Sequence, residues 1–226
     1  MKKQIFFALF QFVAVLFCLN GQQIVTAERF LESVSEKYAE FKDYQAHIAI
    51  RSGSTDMYGT VVHKTPSFLR IDFTTPAEQV IVFNGDILTV YLPEQRAILN
   101  QSVSSSRSSG ANLATAQGLS LLRRNFAAAF ITGPAPVPLD EGSREMVVKL
   151  RLSRRYGSEG FREIILSVDP VSLLIRRMQG TTIADIQVQF DFSNISTNQG
   201  ISERRFMYDS PASANLYNDF LFRDTE

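Results

Sequence analysis

The sequence is short of reactive side chains. Its 226 residues hold 1 Cys, 2 His and no Trp. One Cys excludes both a disulfide scaffold and a cysteine-rich zinc site. His47 and His63 have no carboxylate at metal-ligand spacing, and no HExxH is present. Charge is short too: 23 basic residues meet 23 acidic ones. A general nucleic-acid binder needs a basic surplus to replace counterions, so that class is excluded. There is no G-x-S-x-G, no P-loop and no G-x-G-x-x-G. Glu163, Asp185 and Asp191 fall on outward strand parities, where carboxylates are solvated. No catalytic constellation, cofactor or metal site is expected. What the chain does have is apolar mass. It is 45% hydrophobic and 20% charged, with 18 Phe, a globular composition.

Lys2 and Lys3 precede an apolar run from Ile5 to Leu19, broken by Gln11 and followed by polar Asn20-Gly21-Gln22-Gln23. The pattern reads as a secretory signal peptide over residues 1–21, with cleavage after Gly21. A membrane anchor is the alternative, but the run falls short of the roughly 20 residues a spanning helix needs. Cleavage removes Lys2, Lys3 and Cys18, leaving a slightly acidic chain without cysteine. Cys18 has a rival reading as a lipidated first residue of a lipoprotein, which bulky Phe17 before it fits poorly.

Beyond the signal, residues 22–226 read as one domain. A helix is expected at 27–40. Thr26 is its N-cap and Glu28 lies in its first turn, with Phe30, Leu31, Val34, Tyr38 and Phe41 along one face. From Tyr44 the period changes to two. Strands are expected at 44–51, 57–64, 69–73, 79–83, 87–92 and 96–101, with a tight hairpin at Asn84-Gly85. Residues 102–110 hold six serines and read as a flexible loop. A helix is expected across 111–131, presenting Leu119, Leu122, Phe126 and Phe130, with Gly118 kinking or dividing it. Residues 133–138 read as a proline-stiffened linker. Strands resume near 147–152, 163–168, 173–179, 185–192 and 203–208. That makes about eleven strands with one dry face, an antiparallel barrel or strongly curved sheet. His47 lies on the wet parity and His63 near a rim. The phenylalanines read either as ordinary core or as the lining of an apolar cavity.

Residues 60–95 carry a resemblance. Lys64-Thr65-Pro66-Ser67-Phe68-Leu69-Arg70 is followed by Thr75-Pro76, then Val80-Ile81-Val82-Phe83-Asn84-Gly85, then Leu88 through Tyr91-Leu92-Pro93. In order and spacing this resembles the periplasmic outer-membrane lipoprotein carrier family, LolA. Phe161–Gly180 and the run Asn194-x5-Gly200-Ile201-x4-Phe206 resemble its later part. The resemblance implies a mainly β fold with α: an incomplete antiparallel β-barrel, an N-terminal helix and a helical lid at about 111–131. It also implies a non-enzymatic function. The acyl chains of lipoproteins would be taken from an inner-membrane lipoprotein-releasing transporter and passed to an outer-membrane lipoprotein receptor, by a protein expected to be a periplasmic monomer.

The lipid-binding cavity is then expected to be lined by Leu69, Ile71 and Phe73, by Val80 and Val82, and by Leu88 and Val90. Later strands would add Val148, Leu150, Ile186, Val188 and Phe190. The family often has an Arg before the first Pro, holding the lid; here that position is Thr65, and Lys64 beside it should face the opposite way. Two rivals share the fold: the outer-membrane receptor, which needs a lipidated Cys18, and a periplasmic sensor or regulator that binds a signalling protein. The tail residues Leu216, Tyr217, Phe220, Leu221 and Phe222 fit either packing on the barrel's outside or pairing as a further strand.

Overall fold

A computed structural model describes residues 25–103, 114–155 and 160–220. The signal-peptide and Cys18 readings, residues 104–110 of the expected serine loop, and tail residues Leu221 and Phe222 lie outside them; Ser102 of that loop is strand.

The first element is helix α1, Ala27–Ala39. The Thr26 side chain accepts from the Arg29 backbone N–H, Glu28 sits in the first turn and Lys37 in the last. One face is buried through Ala27, Leu31, Val34 and Tyr38. Leu31 and Val34 are wholly enclosed, each worth about 1.5–3 kcal/mol over an exposed position. That face lies on a sheet.

The sheet has thirteen strands among the described residues. The first six are β1 (Asp43–Ser52), β2 (Thr55–Lys64), β3 (Phe68–Thr75), β4 (Val80–Phe83), β5 (Ile87–Leu92) and β6 (Ala97–Ser102). Helix α2, Ala116–Asn125, runs directly into β7, Phe126–Phe130. Then come β8 (Val137–Pro138), β9 (Met146–Arg154), β10 (Phe161–Val168), β11 (Ile175–Thr182) and β12 (Gln187–Thr197). A short 3-10 helix, Glu203–Phe206, and β13, Asn215–Asn218, complete the chain. The spatial order is β13-β6-β5-β4-β3-β2-β1-β12-β11-β10-β9-β7, with β8 extending the β9 edge. The pairings are antiparallel except β13 on β6, which is parallel. The two end strands do not meet, so the sheet is an incomplete barrel.

β1 joins the two halves by pairing with both β2 and β12. Asp43 clamps that junction. Its buried carboxylate accepts the backbone N–H groups of Gln199, Gly200 and Ile201 at 2.7, 3.0 and 3.1 Å. Three charge-assisted bonds satisfy a group that would otherwise be costly to bury.

Strand parity then sorts the side chains. Tyr44, Ala46, Ile48 and Ile50 face inward with Val61, Leu69, Phe73, Leu150, Leu166 and Met178, forming the main core with both helices. A second, smaller cluster sits on the convex side. There Phe206 of the 3-10 helix lies on Val62, Val80 and Val82, ringed by Phe68, Tyr91, Ile201 and Tyr208. Elsewhere the convex face carries charged residues, with Arg177 paired to Asp140 and Asp191.

Four expectations need correction. Residues 126–130 are strand, not helix: Phe126 to Phe130 pair with Arg154 to Leu150 of β9. A spacing of four puts two phenylalanines on one face of a helix and equally on one face of a strand, so their periodicity could not separate the two. Gly118 neither kinks nor divides α2; it lies within its first turn, where its N–H is capped by Thr115 Oγ1. Residues 203–206 form a capped 3-10 turn, with Ser202 accepting from the Arg204 N–H, in place of the expected strand. The linker at 133–138 ends in strand β8. The tail is settled as an added strand along β6.

Candidate functional site

The concave face of the sheet is apolar and is covered unevenly. Over β9–β11 the two helices press down on it. Leu119 and Leu122 of α2 are buried against the same core as Leu31, Val34, Leu150 and Leu166. Over β3–β5 the cover thins: Ile71, Ile81, Leu88 and Val90 are only half-buried. Along β12, Val188, Phe190 and Phe192 are half-buried as well. The molecule therefore has a greasy inner wall, packed shut at one side and partly open at the other.

α2 is placed by its own ends. Thr115 caps its start, and the switch to β7 at Phe126 stops it. Among the described residues its links to the rest include the Arg155 N–H, which donates to the Asn125 carbonyl at 2.8 Å. Arg123 meets Glu32 of α1 at 2.6 Å, and Tyr44 donates its hydroxyl to the Ala114 carbonyl at 3.0 Å. Glu32 also pairs with Arg29. The Arg29 hydrogen bond, followed by the charge of Arg123, holds the Glu32 carboxyl below its ordinary range despite some desolvation. Behind α2 the packing is tight: the gap between Tyr38, Phe41, Tyr44, Ala46, Ala114, Phe192 and Ile195 measures about 10 Å³. That is at most the room of a single water molecule. Leu119 and Leu122 occupy part of the concavity.

At the end of the barrel beside the start of α2 there is a cleft of about 260 Å³. It is lined by Tyr38, Phe41, Tyr44, His63, Thr65, Pro66, Thr115, Ala116 and Gln117. His63 points inward on β2 and stacks on Tyr44, ring centroids 5.2 Å apart. It is 4% exposed, and its Nδ1 has no hydrogen-bond partner among the described residues. Burial drives its pKa down to about 4, opposed by the charge of Asp43, so the ring is neutral at pH 7. The same burial pushes Tyr38 up to about 12 and Tyr44 upward too, keeping both hydroxyls protonated. A mixed groove of about 580 Å³ lies at the opposite end, along Arg51, Gly53, Gly180, Ile186 and Val188.

The residues expected to line a cavity divide as follows. Leu69, Ile71, Phe73 and Leu88 lie on the concave face with Val148, Leu150, Val188 and Phe190. Val90 joins them by register, pairing with inward-facing Ile81. Val80 and Val82 do not: they belong to the convex cluster under Phe206. Inward positions on β4 are Ile81 and Phe83, which pack on the main core. Ile186 lies before β12, 52% exposed, in the turn after β11. Among the expected lid residues, Leu119 and Leu122 are on α2 and buried, whereas Phe126 and Phe130 belong to β7. The Thr65 hydroxyl donates to the Lys42 carbonyl at 3.1 Å, and Thr65 shares a cleft with Ala116 and Gln117 of α2. Lys64 faces the other side, donating to the Ile201 carbonyl at 2.8 Å. His47 is exposed and contacts Asn194. Sequence reasoning missed His63 as an inward polar group. Its alternation with Val61 and its stacking partner Tyr44 were the available signals.

An open antiparallel sheet wrapped around an apolar hollow, with two helices laid into it, defines a class of ligand-holding half-barrels. The chain belongs to the LolA family: residues 45–209 match the profile described as outer membrane lipoprotein carrier protein LolA. No curated protein matches it in sequence. Among solved structures it is similar to an uncharacterized conserved protein from Thermus thermophilus, at 14% identity and TM-score 0.55, covering 85% of this chain and 98% of that one. It is similar to the Mycobacterium tuberculosis lipoprotein LppX, at 13% identity and TM-score 0.51, covering 78% and 97%. It is also similar to a protein in the Pseudomonas aeruginosa MucA/MucB complex, at 14% identity and TM-score 0.50, covering 84% of this chain and 63% of that one. At such identities these likenesses carry the fold alone. Among the described residues, no helix is long and apolar enough to cross a membrane.

Proposed function

We propose that this protein is a periplasmic, non-enzymatic carrier that shelters the acyl chains of lipoproteins between the inner and outer membranes. One observation carries the reading: α2 buries Leu119 and Leu122 against an apolar concave wall, and the side-chain links described around it lie at its margins, from Arg123 to Glu32 and from Tyr44 to the Ala114 carbonyl. Each buried methylene is worth about 0.8 kcal/mol, so a sixteen-carbon chain in water carries a penalty on the order of 10 kcal/mol. A carrier must remove that penalty and still release its cargo. Fixed polar contacts would defeat release. A helix that leaves the hollow and lets acyl chains replace its own leucines exchanges one apolar filling for another at small net cost. The inward residues of β3, β5, β9 and β12 are the proposed lining and α2 is the proposed lid. Export by cleavage of residues 1–21 belongs to the same proposal. So does docking to a lipoprotein-releasing transporter and an outer-membrane receptor.

The test is binding of a purified triacylated lipoprotein to the cleaved chain. Leu122→Asp should abolish it while leaving the far-UV circular dichroism of the sheet in place. Mass spectrometry of protein from its native host should show an unmodified N-terminus and co-purifying lipoprotein. Retained binding in Leu122→Asp, or a lipidated Cys18, would replace the carrier reading.

A further inference from the structure

We infer that the C-terminal strand β13 belongs to the ligand site, where Tyr217 forms the outer lip of a track for one acyl chain. This rests on the carrier reading and adds a strand and a named contact to it.

The track follows from register. Ile71 of β3 pairs with Ile81 of β4, Ile81 with Val90 of β5, Val90 with Leu99 of β6, and Leu99 with Tyr217 of β13. Paired residues share a face, so these five side chains form one row across the sheet. Ile71 and Ile81 pack against the main core, which puts the row on the concave side. Neighbouring strands lie about 4.8 Å apart, so the row runs for roughly 19 Å.

Burial on these strands is inverted. Val80 and Val82 face the convex cluster, and Ile98 shares their face through Tyr91. These three are 9%, 2% and 2% exposed, whereas Ile81, Val90 and Leu99 on the inner face are only half-buried. The outside of this half is sealed and its inside is partly bare. On the flanking inner rows Phe83, Gln101 and Ala97 are buried, so the bare strip is narrow. A peptide laid along it would press its N–H and C=O groups onto aliphatic side chains that offer no partner. An acyl chain carries no such groups and fits a slender, wholly apolar path.

Tyr217 ends the row and is 52% exposed. Tyrosine has an apolar body and a polar tip, so its ring can continue the aliphatic surface while its hydroxyl stays in water. Leu216, the residue before it, pairs with Ile98 and therefore faces the convex side. Two adjacent residues of one exposed strand thus differ in whether they meet the track.

The chain contains no Trp, so Tyr217→Trp and Leu216→Trp each introduce a single fluorophore, on opposite faces of β13. Each variant of the cleaved chain is titrated with a synthetic peptide bearing a palmitoylated diacylglyceryl-cysteine, with the same lipopeptide carrying brominated acyl chains, and with the unacylated peptide. The emission of Tyr217→Trp should move to shorter wavelength with the first and lose at least half its intensity to bromine contact with the second. Leu216→Trp should change little with either, and the unacylated peptide should move neither variant. Tyr217→Asp should weaken lipopeptide binding at least fivefold by calorimetry, and Leu216→Asp by less than twofold. Tight lipopeptide binding with a silent Tyr217→Trp, equal quenching at both positions, or a response to the unacylated peptide overturns the lip and leaves the carrier reading intact. Failure of the lipopeptide to bind the unsubstituted chain overturns both.

Discussion

A buried neutral histidine makes stability depend on pH. His63 is depressed to about 4 from an ordinary 6.5, so between those values the unfolded chain binds the proton and the folded one does not. Stability is full above about pH 6.5 and falls as pH drops toward 4. The linkage amounts to about 2 kcal/mol between pH 7 and pH 5. Urea unfolding at the two pH values should show that loss in the native sequence, and His63→Phe should flatten it by a comparable amount. Gly180 carries a second residue-level prediction. A Cβ there would stand 2.6 Å from the Phe161 ring, so Gly180→Val should cost about 1–3 kcal/mol in the same assay. The strand parities around β3 and β5 were legible because polar residues alternate with apolar ones. Those of β4 were not: Val80-Ile81-Val82-Phe83 is apolar throughout, since the 3-10 helix covers its outer side as the core covers its inner one. Nothing local announces a two-sided strand. Ile186 fitted the β12 alternation but fell in the turn before that strand, where parity no longer governs.

At the scale of elements, α2 is the part to disturb. A typical net hydrogen bond contributes about 0.5–1.5 kcal/mol. Losing the Tyr44 hydroxyl bond to Ala114 through Tyr44→Phe should speed amide exchange across Gly118–Asn125 by roughly two- to tenfold, with the β1–β12 amides unchanged. Binding of an apolar fluorophore should quicken in parallel. Uniform acceleration of all amides would mean that α2 does not open by itself. Helix α1 was plain in the sequence because its cap, charges and apolar stripe agree. α2 was only partly so, because Phe126 and Phe130 prolong its apparent face into what is a strand. The pairing that decides the matter lies with β9, far along the chain.

At the scale of the molecule, the half-barrel was readable from alternation, but its edges were not. β13 pairs parallel with β6 through a contact that no local pattern encodes, and all four of its residues are exposed. Truncation after Asp209 should therefore leave the circular dichroism intact and move stability by less than about 1 kcal/mol. It should bare the β6 edge and raise concentration-dependent self-association, read by sedimentation velocity. The junction at β1 is another matter. Lys42 and Asp43 bond to residues 198–201, across sequence separations of 156 to 158 positions. Such distant pairings form slowly. A nascent chain cannot close this sheet until nearly all of it has left the ribosome. Until then the strand that joins the two halves has a neighbour on one side only, and the halves stay unjoined.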